Sequence, residues 1–165
     1  MKIVLSKWLF LTLSLFLGVA QAHEVKLTDI LEAYRPLHVA LVNDDQDKAL
    51  DKTKESAKAI QELASDWLAD NPDDAQVPNV RSINIGAAKI ATAADFDEAR
   101  VSFVTLSLGT IAVIRADDAL KANWQLFFCP MVAKKQGYWV QPMGEALANP
   151  FMGHSMPGCG TKKPW

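Results

Sequence analysis

The sequence is poor in the features that mark most catalytic and nucleic-acid-binding proteins. It has only 2 cysteines and 3 histidines, and its formal net charge is −2. A chain with neither a basic excess nor a basic patch is not expected to bind nucleic acid. It also has no Cys-x-x-Cys, no His-Glu-x-x-His and no Gly-rich phosphate loop, so thiol-redox, zinc-protease and nucleotide-binding activities have no support. We therefore expect a protein that is not an enzyme.

The N-terminal residues 1–22 have the pattern of a signal peptide. Lys2 and Lys7 precede an apolar run, and Ala20-Gln21-Ala22 fits a cleavage site. Because the run is short for a membrane span and polar sequence follows it, we expect cleavage without stable membrane insertion, and a periplasmic or secreted protein. The predicted organisation is a signal peptide over 1–22, a single domain over 23–160, and a flexible tail over 161–165.

Apolar spacing predicts four amphipathic helices. Between residues 27 and 113, apolar side chains recur every three or four positions, with polar breaks near residues 43–45 and 70–74. Asp95, three residues before Glu98, predicts the cap of the fourth helix. From residue 124 the composition favours β-structure. The predicted fold is mainly α, an up-down four-helix bundle, with a small irregular or β-like segment over 124–160 that carries the cysteines.

Both cysteines of this C-terminal segment have a methionine close by in the chain. They occur in the strings Cys129-Pro130-Met131 and Met156-Pro157-Gly158-Cys159. Pro130 favours an extended Cys129, and side chains two apart in extended chain share a side. Pro157-Gly158 predicts a type II turn, which holds Met156 within about 7 Å of Cys159. Each cysteine is therefore expected to have a thioether beside it.

Two interpretations of these residues remain open. Thiolate and thioether ligands suit Cu(I), so Cys129, Met131, Met156 and Cys159 are a predicted metal site, with His154 and Met152 as secondary candidates. Alternatively, Cys129 and Cys159 form a disulfide, since exported cysteine pairs are usually oxidised. Closing a loop of about 30 residues would contribute about 3.5 kcal/mol on the loop-entropy model. An oxidised pair is also compatible with the resting state of a thiolate metal site.

A further candidate ligand lies at the predicted mature N-terminus. Cleavage after Ala22 would leave His23 as the first residue, where its α-amine and imidazole form a chelate suited to Cu(II). The alternative is a solvated terminus with no ligand role.

The C-terminal motifs resemble those of a bacterial exported family of unknown function. Its signature combines Cys-Pro-Met, Asn-Pro-Tyr/Phe-x-Gly and Met-x-x-Cys-Gly. The matching strings here are Cys129-Pro130-Met131, Asn149-Pro150-Phe151-Met152-Gly153 and Met156-Pro157-Gly158-Cys159-Gly160. Members of that family occur alone or fused to periplasmic adaptors of copper and silver efflux pumps. The resemblance implies a helical bundle and a role in copper handling, with Cys129, Met131, Met156 and Cys159 as copper ligands.

Two functions follow as expectations. The first is a periplasmic protein that sequesters or transfers Cu(I), with a copper/silver efflux adaptor or another periplasmic protein as its partner. The alternative is a disulfide-stapled interaction module that docks onto an envelope or efflux-pump partner without metal. In that case Trp139, Phe151 and Trp165 are expected to be exposed aromatic anchors.

Overall fold

Four long helices make up about half of the residues that the structure describes. The structure, a computed structural model, describes residues 24–132 and 136–165. The predicted signal peptide and His23 therefore lie outside the described residues. The helices are α1 (Leu27–Val42), α2 (Ala49–Asp70), α3 (Val77–Ala91), α4 (Phe96–Arg115) and the short α5 (Asp118–Lys121). Within the described ranges, no helix has both the length and the apolar character needed to cross a membrane.

Acidic side chains fix the starts of two of the four long helices. The Asp95 carboxylate accepts a hydrogen bond from the Glu98 backbone N–H at 2.9 Å, and the Glu98 carboxylate accepts one from Ala94 at 2.8 Å. At α1, the Asp29 carboxylate accepts from the Lys26 N–H at 2.8 Å. These bonds satisfy N–H groups that have no partner within the helix. The predicted cap of the fourth helix is confirmed.

Helices α3 and α4 approach each other closely at two glycines. A Cβ added to Gly86 would lie 2.8 Å from the Leu106 Cα, and one added to Gly109 would lie 2.7 Å from the Asn79 carbonyl oxygen. Both contacts are with backbone atoms, which cannot move aside without shifting a whole helix. Glycine at these positions therefore sets the distance between the two helices.

The C-terminal segment folds into a three-stranded antiparallel sheet. Its strands are β1 (Trp124–Phe128), β2 (Tyr138–Pro142) and β3 (Thr161–Lys163), in the order β2-β1-β3. The predicted mainly α fold with a small C-terminal β segment is confirmed. The flexible tail predicted for 161–165 is wrong, because β3 pairs with the open edge of β1 and the Trp165 indole N–H donates to the Trp124 carbonyl at 3.1 Å.

Aromatic side chains join the sheet and the helices into one core. Tyr34 of α1 stacks on Phe103 of α4 with ring centroids 5.9 Å apart, and Phe103 meets Phe151 edge-on at 5.2 Å. Phe151 in turn meets Trp139 of β2 at 6.3 Å. The Tyr34 hydroxyl donates to the Val140 carbonyl at 3.1 Å. The sulfur-bearing segment is therefore anchored to the helices rather than appended to them.

Candidate functional site: a cysteine pair flanked by methionines

The sheet places the two cysteines side by side. Cys129 directly follows β1 and Cys159 lies two residues before β3, in a ladder that pairs Phe128 with Thr161. Their Cα atoms are 5.9 Å apart and their sulfurs form a disulfide. The Cys129 N–H also donates to the Gly137 carbonyl at 2.9 Å, which extends the pairing of β1 with the chain before β2. Backbone hydrogen bonds therefore hold this pair together in addition to the covalent bond.

The two cysteines differ in their access to solvent. Cys129 is fully buried within the core, whereas Cys159 is only half-buried. A molecule that approaches the sulfur pair from solvent therefore meets Cys159 first.

The predicted turn between Met156 and Cys159 is present, but its predicted type is wrong. The Cys159 N–H donates to the Met156 carbonyl at 3.1 Å, which closes a four-residue turn. A type II turn needs a positive φ at its third residue, and Gly158 is not among the residues with positive φ. The positive φ angles of this segment are at Gly153 and Gly160 instead. Gly158 is therefore not in the conformation that a type II turn requires.

Met131 and Met156 are exposed to solvent. Their side chains are 65% and 40% exposed, although methionine usually fills gaps in a core. Met152, a secondary candidate, is half-buried and packs against the hydrophobic core. The structure thus brings the two cysteine sulfurs together and leaves an exposed thioether two or three residues from each. We refer to Cys129, Met131, Met156 and Cys159, grouped by their positions in the chain, as the sulfur cluster.

Asn149 organises the chain that leads into Cys159. Its Nδ2 donates to the Cys159 carbonyl at 2.6 Å, and its Oδ1 accepts from the Phe151 N–H at 2.8 Å. Its own N–H donates to the Pro157 carbonyl at 2.9 Å. The Asn149 side chain is completely buried. A single amide therefore fixes both ends of the loop that carries Met152, His154 and Met156.

Asp44 and Arg100 fasten the same loop to the helices. Asp44 forms an ion pair with Arg100 and accepts hydrogen bonds from the His154 N–H at 2.9 Å and Nδ1–H at 2.7 Å. Arg100 also donates to the Pro150 carbonyl at 3.2 Å. Burial alone raises the pKa of Asp44, but the bonds from Arg100 and His154 outweigh it and hold this pKa at about 2. Asp44 therefore remains a carboxylate throughout the physiological range.

Sequence reasoning missed Asp44 as a structural residue and treated it only as a break between helices. The sequence feature that pointed to such a partner was Arg100, a charged residue on the predicted buried face of α4 between Phe96 and Phe103. A buried arginine requires a partner, but spacing alone does not say which of the many acidic residues supplies it. The pairing also engages His154, which lies against Asp44 in the structure.

Asp44, Asp45 and His154 have donor atoms within 4.8 Å of one another. Carboxylate and imidazole ligands suit harder ions than the sulfur cluster does. Because Asp44 is already neutralised by Arg100, Asp44 and His154 are better described as part of the loop attachment.

His38 of α1 provides a third attachment for this loop. It is buried, and its Nε2–H donates to the Ala148 carbonyl at 2.9 Å. Burial lowers the pKa of His38 to about 4, although the hydrogen bond to Ala148 acts in the opposite direction. The imidazole is therefore neutral at pH 7, and its Nε2–H holds the loop through the hydrogen bond to Ala148.

An open groove of about 710 Å³ runs along α4 beside the loop. Its apolar wall is formed by Val101, Val104 and Leu108, with Phe151 and Met152 contributed by the loop. Val101 and Leu108 are among the exposed large hydrophobic residues. Trp139 and Phe151, predicted as exposed anchors, are instead buried because they pack against each other and the helical core. Trp165 is half-buried.

Comparison with known proteins identifies the helical part of the chain. A search of curated proteins and a search of solved structures each found no match. A family model described as "Protein of unknown function (DUF3347)" matches residues 30–121. This range begins within α1, extends to the end of α5 and stops before β1, so both cysteines lie beyond it. The match spans more than half of the chain, which therefore belongs to this family.

Proposed function

We propose that this protein binds Cu(I) as cargo through the sulfur cluster and sequesters it or passes it on in the periplasm. The observation that carries the proposal is the pairing of Cys129 and Cys159, each with an exposed methionine two or three residues away in the chain. The resemblance of the C-terminal motifs to those of a family fused to copper and silver efflux adaptors supports the same function.

The donor chemistry fits Cu(I) once the cysteines are reduced. Cu(I) is a soft ion that prefers thiolate and thioether ligands over oxygen. The two thiolates supply the charged ligands, and Met131 or Met156 supplies a neutral one. Because thiols lose their protons when they bind a metal, affinity falls as the pH is lowered. The exposure of the methionines favours exchange of the ion with a partner.

Titration of the reduced protein with Cu(I) against a competing chelator tests this function. We expect one tightly bound ion per chain, and loss of that binding in a Cys129→Ser, Cys159→Ser double variant. Replacing both Met131 and Met156 with leucine removes the thioethers and is expected to weaken binding by about tenfold or more.

Met143→Leu is the matched control for the methionine variants. Met143 is also half-exposed, at 50%, but its N–H donates to the Asn123 carbonyl at the end of the sheet away from the cysteines. Its replacement is expected to leave Cu(I) affinity unchanged. Binding that survives both the double cysteine and the double methionine replacements excludes the sulfur cluster as the site.

The groove on α4 supports a second candidate function, docking of a partner helix without metal. Val101, Val104 and Leu108 lie at the i, i+3, i+7 spacing by which one helix packs against another. We propose a copper/silver efflux adaptor or another envelope protein as the partner. On this proposal the disulfide serves to hold Phe151 and Met152 in place at the wall of the groove.

A Val101→Glu, Leu108→Glu double variant tests the docking function. Charges on the apolar wall are expected to weaken binding to a purified copper/silver efflux adaptor by about tenfold or more, measured by fluorescence anisotropy with oxidised, metal-free protein. Val39→Glu is the control, because Val39 is exposed on α1 away from the groove. Equal affinities for all three proteins would rule out the groove as the docking surface.

A further inference from the structure

We propose that the Cys129–Cys159 disulfide is a redox gate on the copper site. In the oxidised protein the site binds Cu(I) weakly, and reduction by a dithiol opens it to tight binding. The inference rests on the proposed copper function and adds a statement about its regulation.

The scaffold around the cysteines does not depend on the disulfide. The Cys129 N–H bonds to Gly137, the Cys159 carbonyl accepts from Asn149, and β1 pairs with β3 through Phe128 and Thr161. None of these contacts involves a sulfur atom. Reduction therefore leaves the two thiols adjacent and ready to bind, with no rearrangement of the sheet.

The unequal burial of the two cysteines decides which sulfur the reductant attacks first. A thiolate of the dithiol attacks the Sγ of half-buried Cys159, and the disulfide breaks with its electron pair moving to Cys129, which takes up a proton. The second thiol of the dithiol then attacks the mixed disulfide and releases Cys159. Two electrons and two protons pass to the protein, and the dithiol is left as a disulfide.

The two states offer different ligands to a soft ion. In the oxidised protein only the neutral thioethers of Met131 and Met156 are available, because both cysteine sulfurs are bonded to each other. Reduction adds the two anionic thiolates of Cys129 and Cys159. We expect Cu(I) affinity to rise by about 100-fold or more, since thiolate is a much stronger ligand than thioether.

The test compares the oxidised chain with the same chain reduced by a dithiol and desalted without oxygen. Cu(I) alone is titrated into each against a chelator, and the far-ultraviolet circular dichroism of both states is recorded. The expected result is the same spectrum in both states, with Cu(I) affinity about 100-fold higher in the reduced one. Equal affinities in the two states overturn the gate but leave copper binding intact. Absence of binding in both states overturns the proposed function as well. Loss of the helical signal on reduction overturns the claim that the scaffold keeps its structure without the disulfide.

The point of attack is tested by brief exposure of the oxidised protein to glutathione, followed by mass-spectrometric mapping of the mixed disulfide. We expect glutathione on Cys159. A mixed disulfide confined to Cys129 contradicts the proposed route of reduction.

Discussion

Replacing Asp44 with alanine is expected to lower the free energy of unfolding by about 3 kcal/mol, because it leaves the largely buried Arg100 guanidinium without its carboxylate. The Arg100 side chain is only 16% exposed and has no other anionic partner among the described residues. The His154 N–H and Nδ1–H lose their acceptor in the same variant. Urea denaturation of the variant and the parent protein measures the difference.

Asp45→Ala is the matched control for this prediction. Asp45 is the adjacent carboxylate but is exposed, and its replacement is expected to change the free energy of unfolding by less than about 0.5 kcal/mol. Adding Arg100→Met to Asp44→Ala removes the unpaired charge while keeping an apolar stem. The double variant is therefore expected to lose less free energy of unfolding than the sum of the losses in the two single variants. If Asp44→Ala and Asp45→Ala lower the free energy of unfolding by the same amount, the ion pair does not hold the loop.

Acidification from pH 7 to pH 4 is expected to cost about 3 kcal/mol of stability through His38 alone. The unfolded chain takes up a proton at this residue as the pH falls through about 6.5, the ordinary histidine pKa. The folded chain does so only near its lowered pKa of about 4. Between these values the unfolded state binds more protons, so the stabilising contribution is present above pH 6.5 and is lost as the pH falls toward 4. Measurement of the free energy of unfolding at steps between pH 7 and pH 4 gives the slope of stability against pH.

A His38→Gln variant separates this effect from those of other groups. Glutamine is neutral at every pH and keeps an N–H that can donate to the Ala148 carbonyl. It is expected to lose most of the slope between pH 6.5 and pH 5, where carboxylates with ordinary pKa values are still ionised. A parent protein whose stability is constant between pH 6.5 and pH 5 contradicts the assignment to His38.

The helices and the first two strands were predictable because their signals are local. Apolar spacing defined the buried faces of α1 to α4, and Asp95 with Glu98 gave the start of α4. The strand β3 was missed because Thr161–Lys163 is too short and polar to show a pattern, and its stability comes from pairing with β1. A short strand that is stabilised by pairing with a distant part of the chain has no recognisable pattern in its own sequence.

The candidate site was predictable in part for the same reason. Pro130 and the turn from Met156 to Cys159 are local features. They were the basis for predicting a methionine beside each cysteine. The attachments of the loop were not predictable, since Asp44 and His154 are 110 positions apart and His38 and Ala148 are equally distant. Their pairing is decided by how the sheet packs on α1 and α4. Copper binding itself remains a prediction from donor chemistry and motif resemblance.

X-ray absorption at the copper edge, recorded on the reduced protein loaded with one equivalent of Cu(I), tests the sulfur cluster most directly. We predict a first shell made of sulfur, with no nitrogen or oxygen ligand, and a reduced number of sulfur scatterers in the Met131→Leu, Met156→Leu double variant. A first shell of nitrogen and oxygen, or failure of the reduced protein to retain copper through desalting, would contradict it.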